Sequence, residues 1–262
     1  MSAADLHVHT DNSDGVLSLD AIPKAAREAG IDAVAITDHD RPHPALSAPV
    51  VETGGVTLIH GIELRVDSPA GRIDLLGYGL DPTPALQEEC RRLQRDRRER
   101  GEELIDRVET RLGLDLDLVP FEGIGRPHVA RAVADHPGTE YDASDAFEHL
   151  IGDDGPCYVE RSIPAFGHGR SLLAEACSIV ALAHPLRYDH PEAALKLADD
   201  LDAVERWYPY GRPVETGLVS QAIDSRDLLA TGGSDAHDET LGVASVDGAA
   251  YRAIRDCLPD PV

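Results

Sequence analysis

Short apolar runs alternate along the chain with longer stretches in which apolar residues recur every three or four positions. Runs rich in Val, Ile, Ala and Leu at residues 5–8, 33–37, 57–61, 73–78, 179–183, 203–205 and 228–231 predict seven β-strands. Helix-length stretches lie between most of them, at 19–29, 191–200 and 214–225. Ser18 suits the N-cap of the first helix, and Gly30 its end, because glycine accepts the left-handed backbone that closes a helix. Strand–helix alternation predicts a parallel sheet, open or closed into a barrel, that takes ligands at the carboxyl ends of its strands.

One segment breaks this rhythm. Residues 84–113 form one long, Arg- and Glu-rich helical pattern with a narrow apolar seam of Leu86, Cys90, Leu93, Leu104 and Val108. Shorter helical pieces follow at 127–135 and 144–151. The pattern divides the chain into a barrel domain, 1–83 and 165–262, and a helical insertion or cap, 84–164. Arg91, Arg92, Arg95, Arg97, Arg98 and Arg100 are interleaved with acids, which predicts a solvated, salt-bridged face rather than a nucleic-acid surface.

Composition bears on partners more than on fold. Of 262 residues, 42% are hydrophobic, enough for a sizeable core. Acidic residues number 48 against 24 basic ones, a net charge of −24. That balance excludes a surface built to coat duplex nucleic acid, which needs clustered cations. It leaves room for a small phosphorylated substrate held through metal ions. Lysine occurs only as Lys24 and Lys196, and aromatics make up 4%, a balance that matches proteins of salt-loving cytoplasms. The cysteines (Cys90, Cys157, Cys177 and Cys257) show no C-x-x-C spacing and are expected as reduced thiols. The start, MSAADLHVHT, has no basic and apolar leader pattern, and no run reaches the ~18 apolar residues of a membrane helix. A cytoplasmic protein is expected.

The candidate chemistry gathers where the strands end. His7-Val8-His9 closes the first; residues two apart on an extended chain point the same way, so both imidazoles can reach one ion. Asp14 lies in the loop that follows, Asp38-His39-Asp40 after the second strand, and Glu63 after the third. Asp235-Ala236-His237 after the last strand repeats the two-residue spacing, His128 opens a helix, and His184 ends a strand. Imidazoles mixed with carboxylates favour Zn²⁺, Mn²⁺ or Fe²⁺ over Mg²⁺ or Ca²⁺. So many donors exceed the needs of one ion, and a carboxylate such as Glu63 can bridge two.

The segments DLHVHTDNSDG, AITDHD, GIEL, GRPHVARAV, ALAHPLRY and GGSDAH together resemble the PHP (polymerase and histidinol phosphatase) family over nearly the whole chain. The resemblance implies a distorted (β/α)7 TIM-like barrel carrying an α-helical cap, with three divalent transition-metal ions (Mn²⁺, Zn²⁺ or Fe²⁺) at its mouth. By motif, one ion takes His7, His9, Glu63 and Asp235; a second shares Glu63 and takes His128; the third takes Asp14, His39 and His237. Asp74 stands where such relatives carry a histidine, and is kept as a ligand of the second ion. The series GRPHVARAV, AFEHLIGDDGPCYVER, ALAHPLRY and AVERWYP resembles the branch acting on nucleoside 3′,5′-bisphosphates and short oligoribonucleotides. The implied reaction is phosphoester hydrolysis by a metal-activated hydroxide. His184 is the candidate acid for the leaving group, and Arg126, Arg161 and Arg187 are candidate phosphate ligands. A histidinol-phosphate-type phosphatase and a non-catalytic metal-binding module are the alternatives.

Overall fold

The computed structural model describes residues 3–262. Two compact units are present: Met1–Glu88 with Ile163–Val262, and Glu89–Ser162.

The first unit is built on eight strands: β1 (Ala4–Val8), β2 (Ala33–Ile36), β3 (Val50–Thr53), β4 (Val56–Ser68), β5 (Gly71–Tyr78), β6 (Ile179–Leu182), β7 (Ala203–Trp207) and β8 (Leu229–Gly232). They form one sheet in the order β1-β2-β4-β5-β6-β7-β8, with β3 beside β4. The chain after β8 returns to β1, where the His9 N–H donates to the Ala236 carbonyl at 3.0 Å and Val8 bridges Ala236. The sheet thereby closes into a distorted TIM-like barrel. Alternation along β2 sorts its residues by face: Ala33 and Ala35 enter one apolar cluster, Val34 and Ile36 another. The predicted first helix is a short turn, Leu19–Ala21, followed by α1 (Ile22–Ala29), which ends at Gly30 with φ 72°. Ser18 precedes the turn but makes no side-chain cap; its carbonyl alone is used, by the Ala21 N–H.

The expectation of a wholly parallel sheet is corrected here. β5 runs antiparallel to both β4 and β6, and β3 antiparallel to β4. The reason is local: only Pro69 and Ala70 separate β4 from β5. A parallel crossover needs a dozen or more residues, whereas a hairpin turn needs two. Gly71, at φ 92°, sits in the left-handed region this turn requires. Glu63 consequently lies inside a long strand rather than at the end of a short one.

The second unit is helical. Most of α2 (Pro84–Leu112) belongs to it, with α3 (Arg126–Asp135) and α4 (Ala143–Ala146), which continues into a wide turn over Phe147–Ile151. Leu104 and Val108 of the predicted seam pack with Ile124, Val129, Val133, Leu150 and Ile151. The arginine-rich face is only partly solvated. Arg92 pairs with Glu89 and Arg107 with Glu103, as i,i+3 and i,i+4 spacing allows. Arg97 and Arg100 are buried instead, and the Arg100 Nε donates to the Val159 carbonyl at 2.7 Å. Their long apolar stems are covered while the guanidinium finds backbone oxygen, which departs from the expected solvated face.

Candidate metal centre

At the carboxyl end of β1 the alternation of the strand sends His7 and His9 the same way, and both are buried. The other donors arrive from loops and strands far away in sequence. Three groups of donors result: His9, Asp14, His39 and His237; His7, His9, Glu63 and Asp235; and Glu63, Asp74 and His184, each with its ligand atoms within 4.8 Å of one another. Glu63 is the hub. Its Oε1 lies 3.5 Å from His7 Nε2 and 3.1 Å from His184 Nε2, while its Oε2 lies 3.4 Å from His9 Nε2 and 2.8 Å from His39 Nδ1. Asp235 Oδ1 approaches His9 Nε2 at 3.0 Å and His7 Nε2 at 3.4 Å. Asp14 Oδ1 lies 3.3 Å from His237 Nε2.

The imidazoles are oriented from behind. Glu205, wholly buried on β7, accepts from His7 Nδ1 at 3.0 Å, so Nε2 of that ring faces the centre. The other oxygen of Glu205 accepts from the His184 N–H at 2.6 Å. The His237 Nδ1–H donates to the Asp235 carbonyl at 2.9 Å, turning its Nε2 toward Asp14. Asp235 itself is held by Tyr208, whose hydroxyl donates to Oδ2 at 2.7 Å, and by Arg187 at 3.2 Å.

Two further buried carboxylates order the donor loops. Asp38 accepts from the Thr10 N–H and hydroxyl, the Ser13 hydroxyl and the Asn12 amide, fixing the loop that carries Asp14. Asp5 accepts from the Ser234 N–H and hydroxyl and the Gly242 N–H, fixing the loop that carries Asp235 and His237. Backbone conformations are unusual here. His184 and Asp235 have φ of 27° and 49°, in a region costly for residues with a Cβ. Gly233 allows a close approach: a Cβ there would stand 2.3 Å from the His7 nitrogen.

The electrostatics suit bound cations. Burial opposes ionising Glu63 and Asp14, yet neighbouring imidazoles hold both carboxyls well below their usual range: His39 then His7 for Glu63, His39 then His237 for Asp14. Burial also disfavours charge on His7, but Glu205, Asp235 and Glu63 outweigh it and raise its pKa well above the ordinary value. His9, buried and flanked by His237 and His39, is pushed down. His7 Nε2 and His9 Nδ1 are buried without a hydrogen-bond partner. An unsatisfied buried polar atom costs about 1–3 kcal/mol, and a divalent ion between imidazole nitrogen and carboxylate oxygen removes that cost. The donor set therefore fits transition-metal ions.

The structure brings together His7, His9, Asp14, His39, Glu63, Asp74, Asp235 and His237, and adds His184 to the third group. His128 contributes to none of the three groups; it belongs to the helical unit, where its Nδ1 accepts the Gly125 N–H and its ring meets Phe121 edge-on. Arg187, with a half-exposed side chain, donates to the Tyr208 hydroxyl at 2.9 Å beside Asp235. Arg126 pairs with Asp153 at 2.7 Å and lies over the Phe147 and Tyr158 rings; Arg161 lies 3.9 Å from Asp96. The sequence reading missed Glu205, Tyr208, Asp5, Asp38 and Arg65 as supporting groups. Asp5 and Asp38 stand inside the donor motifs, and Glu205 ends the predicted strand 203–205, so position was a usable signal for these three.

A barrel whose mouth carries clustered imidazoles and carboxylates defines a metal-dependent hydrolase of phosphate esters once the following likenesses are added. Residues 5–143 match the PHP domain, and the chain belongs to that family. It is 26% identical over 265 aligned positions to the 3′,5′-nucleoside bisphosphate phosphatase of Chromobacterium violaceum, covering 90% of this chain and 88% of that one. It is 28% identical to the 5′-3′ exoribonuclease of Haemophilus influenzae, covering 86% and 83%. Its fold is shared with a Bifidobacterium adolescentis structure described as a metal-dependent phosphoesterase (TM-score 0.79, 24% identity, 98% and 96% covered). The chain is thus a phosphoesterase of the PHP family.

Proposed function

We propose that the substrates are small nucleotides carrying phosphate esters: nucleoside 3′,5′-bisphosphates and short oligoribonucleotides. The observation that carries this reading is the position of Glu63, whose two oxygens lie within 3.5 Å of imidazoles from adjacent donor groups, which suits ions a few ångströms apart around one phosphoryl group. The bisphosphate phosphatase and exoribonuclease relatives support the substrate class.

His9, Asp14, His39 and His237, and beside them His7, Glu63 and Asp235, would hold divalent ions, which would supply a nucleophilic water at neutral pH and neutralise phosphoryl oxygens. The chain's own residues do the rest. Glu205 and Tyr208 fix the faces that His7 and Asp235 present. Arg187 reaches the rim and binds phosphate as a guanidinium fork. His184 Nε2 holds a proton beside Glu63 and delivers it to the leaving oxygen. Arg126 and Arg161 of the helical unit are phosphate ligands in this reading.

Mn²⁺-loaded protein should release inorganic phosphate from 3′-phosphoadenosine 5′-phosphate and degrade a 5′-phosphorylated oligoribonucleotide, with histidinol phosphate as the poor substrate of the set. His9→Ala and Asp235→Ala should abolish turnover. Undiminished turnover in those variants, or preference for histidinol phosphate, overturns the proposal.

A further inference from the structure

Arg65 and Asp74 face each other directly in the β4–β5 register, and Arg65 stands two residues after Glu63 on the same strand face. The guanidinium grips the carboxylate as a fork: Nε donates to Oδ1 at 2.8 Å and Nη2 to Oδ2 at 2.8 Å. Asp74 is 1% exposed, whereas the Arg65 side chain keeps 30% of its surface, so the cation lies on the open side of the pair. The strand behind it is pinned, since the Asp74 N–H donates to the Tyr188 hydroxyl, which donates in turn to the Ala183 carbonyl. Asp74 Oδ2 is also 3.6 Å from His184 Nε2.

We infer that Arg65 is the resident cation of the third donor group, so that the barrel holds two divalent ions and a guanidinium where three ions were expected. Both oxygens of Asp74 face the Arg65 guanidinium, which leaves Glu63 and His184 as the donors of that group that no fixed cation neutralises. Two donors are too few for a stable site. An arginine cannot shed its proton to make way for an ion, as a histidine or lysine can. Charge points the same way: Arg65 neutralises Asp74, and Glu63 is drawn on by the other two groups through His39, His7 and His9. In the phosphoesterase reading, on which this clause rests, the guanidinium gives the substrate's phosphoryl oxygens a fixed positive charge at this position.

Metal content decides the matter without any turnover. Mn²⁺-saturated, gel-filtered protein analysed by inductively coupled plasma mass spectrometry should hold two ions per chain. Arg65→Met, which keeps the stem and removes the charge, should raise the count to three, while Arg65→Lys should stay at two. Asp74→Asn should also stay at two, because that carboxylate binds no ion. Three ions in the unaltered protein, loss of an ion in Asp74→Asn, or two ions in folded Arg65→Met each overturn the inference. A protein with two ions and no turnover on nucleotides would refute the substrate proposal and leave this one standing.

Discussion

Glu205 shows how much of a metal centre lies behind the ligands. One carboxylate sets the ring of His7 and, through the His184 N–H, the backbone of a strained residue. Replacement by Gln keeps the shape but offers a single acceptor oxygen for two donors. Glu205→Gln should weaken metal affinity about 10- to 100-fold, the range typical for groups that orient a ligating imidazole. Competitive titration against a chromogenic chelator would measure it, and unchanged affinity would remove Glu205 from the centre's machinery. Residue identity alone does not announce such a group. Its importance comes from facing His7 across a gap of 198 residues, which no local pattern records.

At the scale of elements, the hand-over from β8 to its following loop is one of the tightest fits in the barrel. A methyl group at Gly233 would strike the His7 backbone, which cannot step aside without moving the donor strand. Gly233→Ala should cost roughly 1–3 kcal/mol, as overpacking does, and reduce metal content with it. Gly167 in α5 (Phe166–Ala176) has nothing within 4 Å of such a methyl, so Gly167→Ala is the matched control and should leave the melting temperature near that of the parent. Equal effects at both positions would refute the account. The strands and the donors at their ends were legible because period-two alternation and short His-x-His or Asp-x-His spacings are local signals. The reversal of β5 was legible in principle from the two residues before it, but strand–helix rhythm was the stronger cue and pointed to parallel pairing. The pairing of Arg65 with Asp74 depends on that reversal, so it was hidden as well. Burial of Arg97 and Arg100 was illegible for a different reason: a charged, helix-periodic sequence looks the same whether the guanidinium meets water or a backbone carbonyl.

For the molecule as a whole, a net charge of −24 means that self-repulsion opposes the compact state at low ionic strength. Screening shortens from about 10 Å at 0.1 M salt to about 3 Å at 1 M. The thermal midpoint should rise as KCl is raised from 0.1 to 2 M, and NaCl should act alike; a flat or falling midpoint would separate the acid from any adaptation to salt. Among the described residues no helix is long and apolar enough to cross a membrane.

The closure of the barrel carries one last consequence. His9 lies on β1's side of the seam and Asp235 on the other, 226 residues apart in sequence and 3.0 Å apart in space. An ion held by the group to which both belong would be a clasp across the joint where the first and last strands meet. Removing it should leave the two halves of the joint free to breathe without unfolding the protein. Hydrogen exchange would register this as faster amide loss in β1 and in residues 233–237 after chelation, with the amides of α3 unchanged. The catalytic ion would then also act as the fastener of the fold, tying occupancy of the centre to the lifetime of the closed barrel.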